Sequence, residues 1–483
     1  MSLARGAARG TVWNFATVLF ERGFGFLILG VLLRYIPASA VGVVAIGSAI
    51  SDLVRMLSVG GAGEQVQAAP GDKEVEAGAF WSQFIASVVF VAFLLVSAPA
   101  FGRLYDQPVL ALVLRMLALN ILLTSFLVVP GAILSANFKF RSLGLIAFGS
   151  TVTGGLVALP FAFSGHGVDA LVYQRLVSVI FYVICVCSVT RWLPPRPPRW
   201  AVLRRSFQFS LPLMQASLVD FVSYTAYVMV VGLRVSVADV GRFRIAQRLV
   251  EVLQEIAFAP ARNVFLPVFV AVRDDPARRF DAAMLMLDVL AMVIFFVSAV
   301  AGAAAHPVVL LMFGQRWASA APVFAIMTLM VPVSSLYSII NPVLTAAGRV
   351  HMVSLFSLAN VATVLLVAWF ASSYGLVALA WALAARGVLS IVLFIPAMKI
   401  GLGRPVMPLI RLLILPACAL AVARLLAWLV LAHAPGINLF GQLVISVGVS
   451  GLTFAAIVLV FARHRVHRLV VRVHEALRRA PHS

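Results

Sequence analysis

Residues 240–262 read VGRFRIAQRLVEVLQEIAFAPAR, and the reading of this stretch decides the fold. It has the length and much of the apolar content of a membrane-spanning helix, yet it carries Arg242, Arg244, Arg248, Glu251 and Glu255. Arg244, Arg248, Glu251 and Glu255 recur at i, i+4, i+7 and i+11. At about 3.6 residues per turn they share one face. Charge inside a bilayer is expensive, so that face predicts a polar cavity and not lipid.

The surroundings fit a membrane bundle. Of 483 residues, 63% are hydrophobic and 11% charged, a balance outside that of water-soluble domains. The net charge of +20 invites a nucleic-acid reading. We reject it, because the basic residues are dispersed between apolar runs as the positive-inside rule predicts. About fourteen spans of ~20 residues fit, at 11–33, 41–62, 79–100, 109–134, 142–163, 167–190, 207–232, 240–264, 281–304, 318–342, 352–372, 376–398, 409–431 and 439–462. Residues 11–33 are too long for a signal h-region and lack a small-residue cleavage pattern, so they are read as an uncleaved first span.

Cationic loop residues, among them Lys73, Lys139, Arg141, Arg196, Arg199, Arg349 and Arg404, fall on one side of these spans. The opposite loops hold Arg34, Arg103, Arg234, Arg316 and little else. This asymmetry predicts a multi-pass membrane protein with both termini cytoplasmic. The longest linker, RWLPPRPPRWAVLRR at 191–205, is extended by its prolines. Trp192 and Trp200 in it suit the membrane interface. Residues 463–479, RHRVHRLVVRVHEALRR, pattern as a basic amphipathic helix on the anionic cytoplasmic leaflet.

The chain also repeats itself. Val41-Gly42 matches Val240-Gly241, Asp52 falls on Glu251, and Glu21 falls on Asp220, all at an offset of 199. Farther on, Gly167-Val168-Asp169-Ala170-Leu171 matches Gly375-Leu376-Val377-Ala378-Leu379, and Lys139 matches Arg349. Two related six-helix lobes explain the order of the matches, a mark of transporters. The expected organisation is an N-terminal lobe at 1–199, a second lobe at 200–400, two further spans within 401–462, and a basic tail at 463–483. The fold class is all-α, with two pseudo-symmetric lobes plus two C-terminal helices.

Several short segments carry a family resemblance. LLRYIPASAVG at 32–42, the glycine-rich end of 41–67, Phe265-Leu266-Pro267, LMFGQRWASAAP at 311–322 and YGLVAL at 374–379 are arranged as in one family. The chain resembles the polysaccharide-type flippases of the multidrug/oligosaccharidyl-lipid/polysaccharide transporter superfamily. The similarity runs nearly to residue 400. It implies translocation of an undecaprenyl-diphosphate-linked oligosaccharide from the cytoplasmic to the periplasmic leaflet of the bacterial inner membrane, by rocking of two lobes around a central cavity. In the related peptidoglycan-precursor flippases, arginines on spans 1, 2 and 8 line that cavity, and Arg22, Arg55 and Arg248 are similar in position. A polysaccharide polymerase and a chain-length regulator are further candidate partners.

The residues themselves point the same way. A guanidinium offers a planar donor fork suited to a diphosphate. Arg22, Arg55, Arg244 and Arg248 are the candidate headgroup ligands, with ion pairs inside the bundle as the competing role for each. Asp52 and Arg55 stand at i, i+3 and can bridge locally. Asp52, Asp220, Glu251, Glu255 and Asp288 are the intramembrane carboxylates, candidates for ion coupling or for plain hydrogen bonds between helices. Arg115, Arg175 and Arg386 are further intramembrane cations. Cys185, Cys187 and Cys418 read as small core residues. No zinc spacing, phosphate-cradling loop or dinucleotide fingerprint appears, so neither a metal nor a cofactor is expected. Energy then comes from an ion gradient, the membrane potential or downstream polymerisation. The outer loops are too short for a catalytic domain. A cation-extruding antiporter of the same superfamily is the alternative, but the surplus of arginine over carboxylate favours an anionic substrate.

Overall fold

A computed structural model describes residues 23–262, 265–272, 275–434 and 436–461. The described chain is helical throughout, in short-looped succession: α1 (Gly23–Tyr35), α2 (Ala38–Val59), α3 (Ala62–Ala68), α4 (Lys73–Leu104), α5 (Pro108–Ala136), α6 (Phe140–Phe163), α7 (Gly167–Thr190), α8 (Trp200–Phe221) and α9 (Tyr227–Gly232). Next come α10 (Val237–Arg262), α11 (Phe265–Ala271), α12 (Pro276–Ala303), α13 (Ala305–Phe313), α14 (Ala320–Met327), α15 (Met330–Ala346) and α16 (Val350–Ala371). The last are α17 (Leu376–Leu389), α18 (Ile391–Leu402), α19 (Met407–Ala432) and α20 (Leu439–Phe461).

Local chemistry starts these helices where they start. The Asp72 carboxylate accepts from the backbone N–H groups of Glu74 (2.9 Å) and Val75 (3.2 Å), which caps α4. Asp275 does the same for Ala277 and Arg278 at the head of α12. Pro108 and Pro276 occupy the first turns of α5 and α12, where a missing N–H costs nothing.

Ten helices are long and apolar enough to cross a membrane among the described residues, where about fourteen spans were expected. The other four expected spans are not among these ten. The first lies partly outside the described residues. The helix of the one at 207–232, α8, carries Arg204, Arg205 and Asp220 and gives way to a π-helical turn, Val222–Ala226, while that of the one at 240–264, α10, carries Arg242, Arg244, Arg248, Glu251, Glu255 and Arg262. The one at 376–398 is divided at Ser390, leaving α17 short. The protein is an all-α, multi-pass membrane protein. Residues 1–22 and 463–483, which include Arg22 and the basic tail, lie outside the described residues.

Two compact units divide the chain at Arg244/Ile245, inside α10. In the first, α4 packs on α5, α6 on α7, and α2 against α4, α5, α7 and α8. One aromatic cluster anchors it: Phe80 meets Trp192 edge-on at 5.2 Å, with Phe84 and Phe126 packed around it. Trp192 is thus buried within this unit. The proline-rich linker folds back on α4, where Trp81 Nε1 donates to the Pro195 carbonyl at 2.8 Å. Trp200 is well exposed. In the second unit, α12 packs on α15, α19 and α20, while α14 packs on α17 and α15 on α18. The contact division and the expected lobe boundary at 199/200 differ by α8, α9 and the head of α10.

Candidate functional site

The charged stripe of residues 240–262 lies on one continuous helix, α10, 26 residues long. Between its charges Phe243, Ala246, Leu249 and Val250 are buried, which fixes the face that packs. Arg244, Arg248, Glu251 and Glu255 are half-buried along the other face. Arg248 Nη1 donates to Glu251 Oε2 at 3.0 Å, an i, i+3 pair on the stripe. One turn upstream, Arg242 Nη1 donates to Asp239 Oδ1 at 2.8 Å, and Asp239 Oδ2 accepts from Ser236 Oγ at 2.8 Å. The entry to α10 is therefore neutralised within itself.

A second charged group belongs to the first unit. Arg55 Nε donates to Asp52 Oδ1 at 3.4 Å along α2. On the other side, Arg175 Nη2 of α7 lies 3.9 Å from Asp52 Oδ2. One carboxylate is thus held between two guanidiniums from two helices, and all three side chains are between 32% and 41% exposed. Among the described residues two guanidiniums share this one carboxylate, and each group remains partly accessible. Asn120 of α5 braces α7 by donating from Nδ2 to the Arg175 carbonyl at 3.3 Å. Sequence spacing predicts the Asp52–Arg55 bridge. It gives no sign that Arg175, far along the chain, shares the carboxylate.

The remaining candidates separate. Asp220 belongs to the last turn of α8, just before a π-helical turn, Val222–Ala226; its side chain is outside what the structure describes. Asp288 is half-buried on α12. Arg386 of α17 is tied to α16, donating from Nη1 to Asn360 Oδ1 at 2.6 Å. Arg115 is exposed on α5. Cys187 Sγ donates weakly to the Phe126 carbonyl at 3.7 Å, a packing role. Among the described residues no group of three His, Cys, Asp or Glu side chains is placed to hold a metal.

Comparison with known proteins follows the same lines. The family model described as "Polysaccharide biosynthesis protein" matches residues 31–322. The succinoglycan biosynthesis transport protein ExoT of Rhizobium meliloti (strain 1021) is 25% identical over 349 residues, which cover 72% of this chain and 70% of that protein. Among solved structures, the lipid II flippase MurJ in an inward closed conformation aligns with a TM-score of 0.71 at 12% identity, over 94% of this chain and 100% of that one. An inward-facing multidrug resistance MATE family transporter of the MOP superfamily aligns with a TM-score of 0.56 at 16% identity, over 81% and 94% of the two chains. At such identities the structural likenesses show the fold: that of MOP-superfamily transporters.

Proposed function

Because the chain belongs to the polysaccharide biosynthesis protein family, we propose that it flips a polyprenyl-diphosphate-linked oligosaccharide from the cytoplasmic to the periplasmic leaflet by alternating access. The product feeds surface or exopolysaccharide synthesis. The observation that carries this reading is Asp52 between Arg55 and Arg175. A diphosphate brings more negative charge and more acceptor oxygens than one carboxylate, so it competes with Asp52 for both guanidiniums. When the headgroup leaves, Asp52 takes the arginines back, and they never stand uncompensated in the membrane. Arg244 and Arg248 supply the matching cations on α10, with Glu251 and Glu255 beyond them as acceptors for sugar hydroxyls. Arg22 joins the headgroup ligands.

The moving bodies in this proposal are the lobes 1–199 and 200–400, with the spans in 401–462 beside them. Both termini are cytoplasmic, and the basic tail at 463–483 holds the anionic leaflet. Asp220 and Asp288 are the carboxylates offered for ion coupling. A polymerase and a chain-length regulator would take the product at the outer face. The sharing of Asp52 by two guanidiniums, Arg55 and Arg175, disfavours a cation antiporter, which needs an acidic cavity.

The deciding experiment measures lipid-linked oligosaccharide on the outer leaflet of spheroplasts, with and without the gene. The expected result is accumulation on the inner leaflet in the deletion. Normal outer display, with the oligosaccharide still being made, overturns the proposal. Loss of resistance to cationic drugs in the same strain, without a display defect, would instead select the antiporter.

A further inference from the structure

The second unit holds a cavity of about 570 Å³ where α12, α13, α14, α17, α19 and α20 converge. Its wall includes Gly302, His306, Trp381, Arg424, Trp428 and Gln442. We propose that this cavity binds the phosphate headgroup of an anionic membrane phospholipid, at a site that shares no residue with the proposed transport site.

Arg424 is the starting point. Its side chain crosses from α19 to the break between α14 and α15. Nη1 donates to the Ala325 carbonyl at 3.1 Å, and Nη2 to the Ser298 carbonyl at 2.6 Å and to the Thr328 hydroxyl. Every one of these partners is uncharged. Among the described residues Arg424 has no carboxylate partner, and its Nε–H has no acceptor. The carbonyl end of α14 supplies a partial negative charge of about half a unit. The rest of a full positive charge stays uncompensated inside an apolar bundle, where isolated charge is costly.

The cavity beside it is shaped for a counter-ion that brings its own hydrocarbon. His306 is exposed at the mouth, and Gln442 adds an amide donor. Ile326, Leu329 and Leu431 make much of the remaining wall. Trp381 and Trp428 flank the cavity and are exposed on the helix surface. Tryptophan favours the headgroup level of a bilayer. The cavity also reaches the C-terminal ends of α12 and α19, with Gly302, Ala303, Leu431 and Ala432 in its wall. A free inorganic anion would find too few polar partners here, whereas an amphiphile satisfies the cation and covers the apolar wall together.

The test uses the full-length protein in lipid nanodiscs and its own tryptophan fluorescence. Phosphatidylglycerol with brominated acyl chains should quench at a roughly tenfold lower mole fraction than brominated phosphatidylcholine, the scale of one charge-assisted contact. The preferential component should vanish when both flanking tryptophans are replaced, in Trp381→Phe/Trp428→Phe, which places it at this mouth. Arg424→Gln should abolish the preference. Because Arg424 also ties three helices together, a second variant is needed that leaves those bonds intact. His306→Glu puts a negative charge at the exposed mouth and should remove the preference while the protein stays folded. Equal quenching by the two lipids, or a preference that survives His306→Glu, overturns the proposal. Displacement of brominated phosphatidylglycerol by millimolar inorganic phosphate overturns the lipid assignment.

Discussion

Gly42 and Gly241, 199 residues apart in the chain, meet where α2 and α10 cross. A β-carbon built on Gly241 would lie 3.0 Å from the Gly42 nitrogen and on top of the Ala38 carbonyl. One built on Gly42 would fall on the Val237 carbonyl. Ala38 and Val237 are themselves separated by the same offset, so the contact is reciprocal: each glycine packs on the residue equivalent to its partner's neighbour. Such self-complementarity is the signature of a two-fold relation. Here it is internal to one chain and follows the sequence repeat.

Gly42→Ala and Gly241→Ala are each expected to destabilise the protein, by about 1–3 kcal/mol for an overpacked contact. In an unconstrained helix the same change would gain roughly 1 kcal/mol, so the sign of the effect identifies the contact. Gly131→Ala on α5, where an added β-carbon meets nothing within 4 Å, is the control and should be neutral or mildly stabilising. The double variant should lose less than the sum, since one widening of the crossing accommodates both methyls. Thermal midpoints in detergent by fluorescence-detected size exclusion measure all four.

The triad of Asp52, Arg55 and Arg175 leads to a transport prediction that rests on the proposed function. Arg55→Gln and Arg175→Gln should each cut polysaccharide export by tenfold or more, the loss of a charge-assisted phosphate contact. Arg248→Ala should also lower export with the protein still inserted. Arg115→Gln, at an exposed position on α5, should leave export near normal. Secreted polymer normalised to membrane-inserted protein by immunoblot is the readout, and unchanged export removes the residue concerned from the site.

Tyr105 gives the structure an alkaline limit. It lies in the turn after α4, is buried, and donates its hydroxyl to the Met229 carbonyl at 3.0 Å. Burial pushes its pKa up to about 12. A phenol whose folded pKa exceeds its unfolded value of about 10 stabilises fully below pH 10. That contribution is lost as the pH climbs from 10 towards 12, because the unfolded chain ionises first. Tyr105→Phe should therefore flatten the decline of stability over this window. It should also remove one hydrogen bond, for a loss of about 1 kcal/mol at neutral pH. Unfolding midpoints between pH 8 and pH 12, compared for the two proteins, check both expectations.

Much of the fold is legible in the chain because a membrane leaves helices few alternatives. Apolar runs locate α5, α6, α7 and α20 within a few residues. The interruptions are another matter. The expected span at 318–342 is divided at Thr328 and Leu329, where Leu329 N–H turns back to Ile326 and not to Ala325. The carbonyl so released is taken by Thr328 Oγ and by Arg424, 99 residues away. Nothing local reports that partner. The π-helical turn after Phe221 is equally silent in sequence. For the candidate site the same divide holds. Pairs one turn apart, Asp52–Arg55 and Arg248–Glu251, follow from helical spacing. The bridge from Asp52 to Arg175 and the burial of Trp192 depend on which helices lie side by side.

Gly302 tests how strongly the break in residues 320–346 depends on Arg424. The glycine leaves a flat notch on α12, and the guanidinium lies in it; an added β-carbon would land on the guanidinium carbon and on Nη2. Gly302→Ala must therefore push Arg424 out of reach of the Ser298 and Ala325 carbonyls. The helix propensity of alanine works in the opposite direction by roughly 1 kcal/mol. The lost bonds are charge-assisted, each worth about 1.5–3 kcal/mol, and they leave a displaced charge in an apolar bundle. The bonds win, and the variant should be destabilised by about 2–4 kcal/mol. The damage should be local: amide hydrogen exchange should accelerate at the ends of α14 and α15 while α4 and α5, in the other unit, keep wild-type protection. Gly302→Ala combined with Arg424→Leu should recover part of the loss, because the methyl then meets an uncharged side chain with no buried bonds to break. If Gly302→Ala leaves exchange around Thr328 unchanged, Arg424 does not hold the break, and the carbonyl of Ala325 is satisfied by the Thr328 hydroxyl alone.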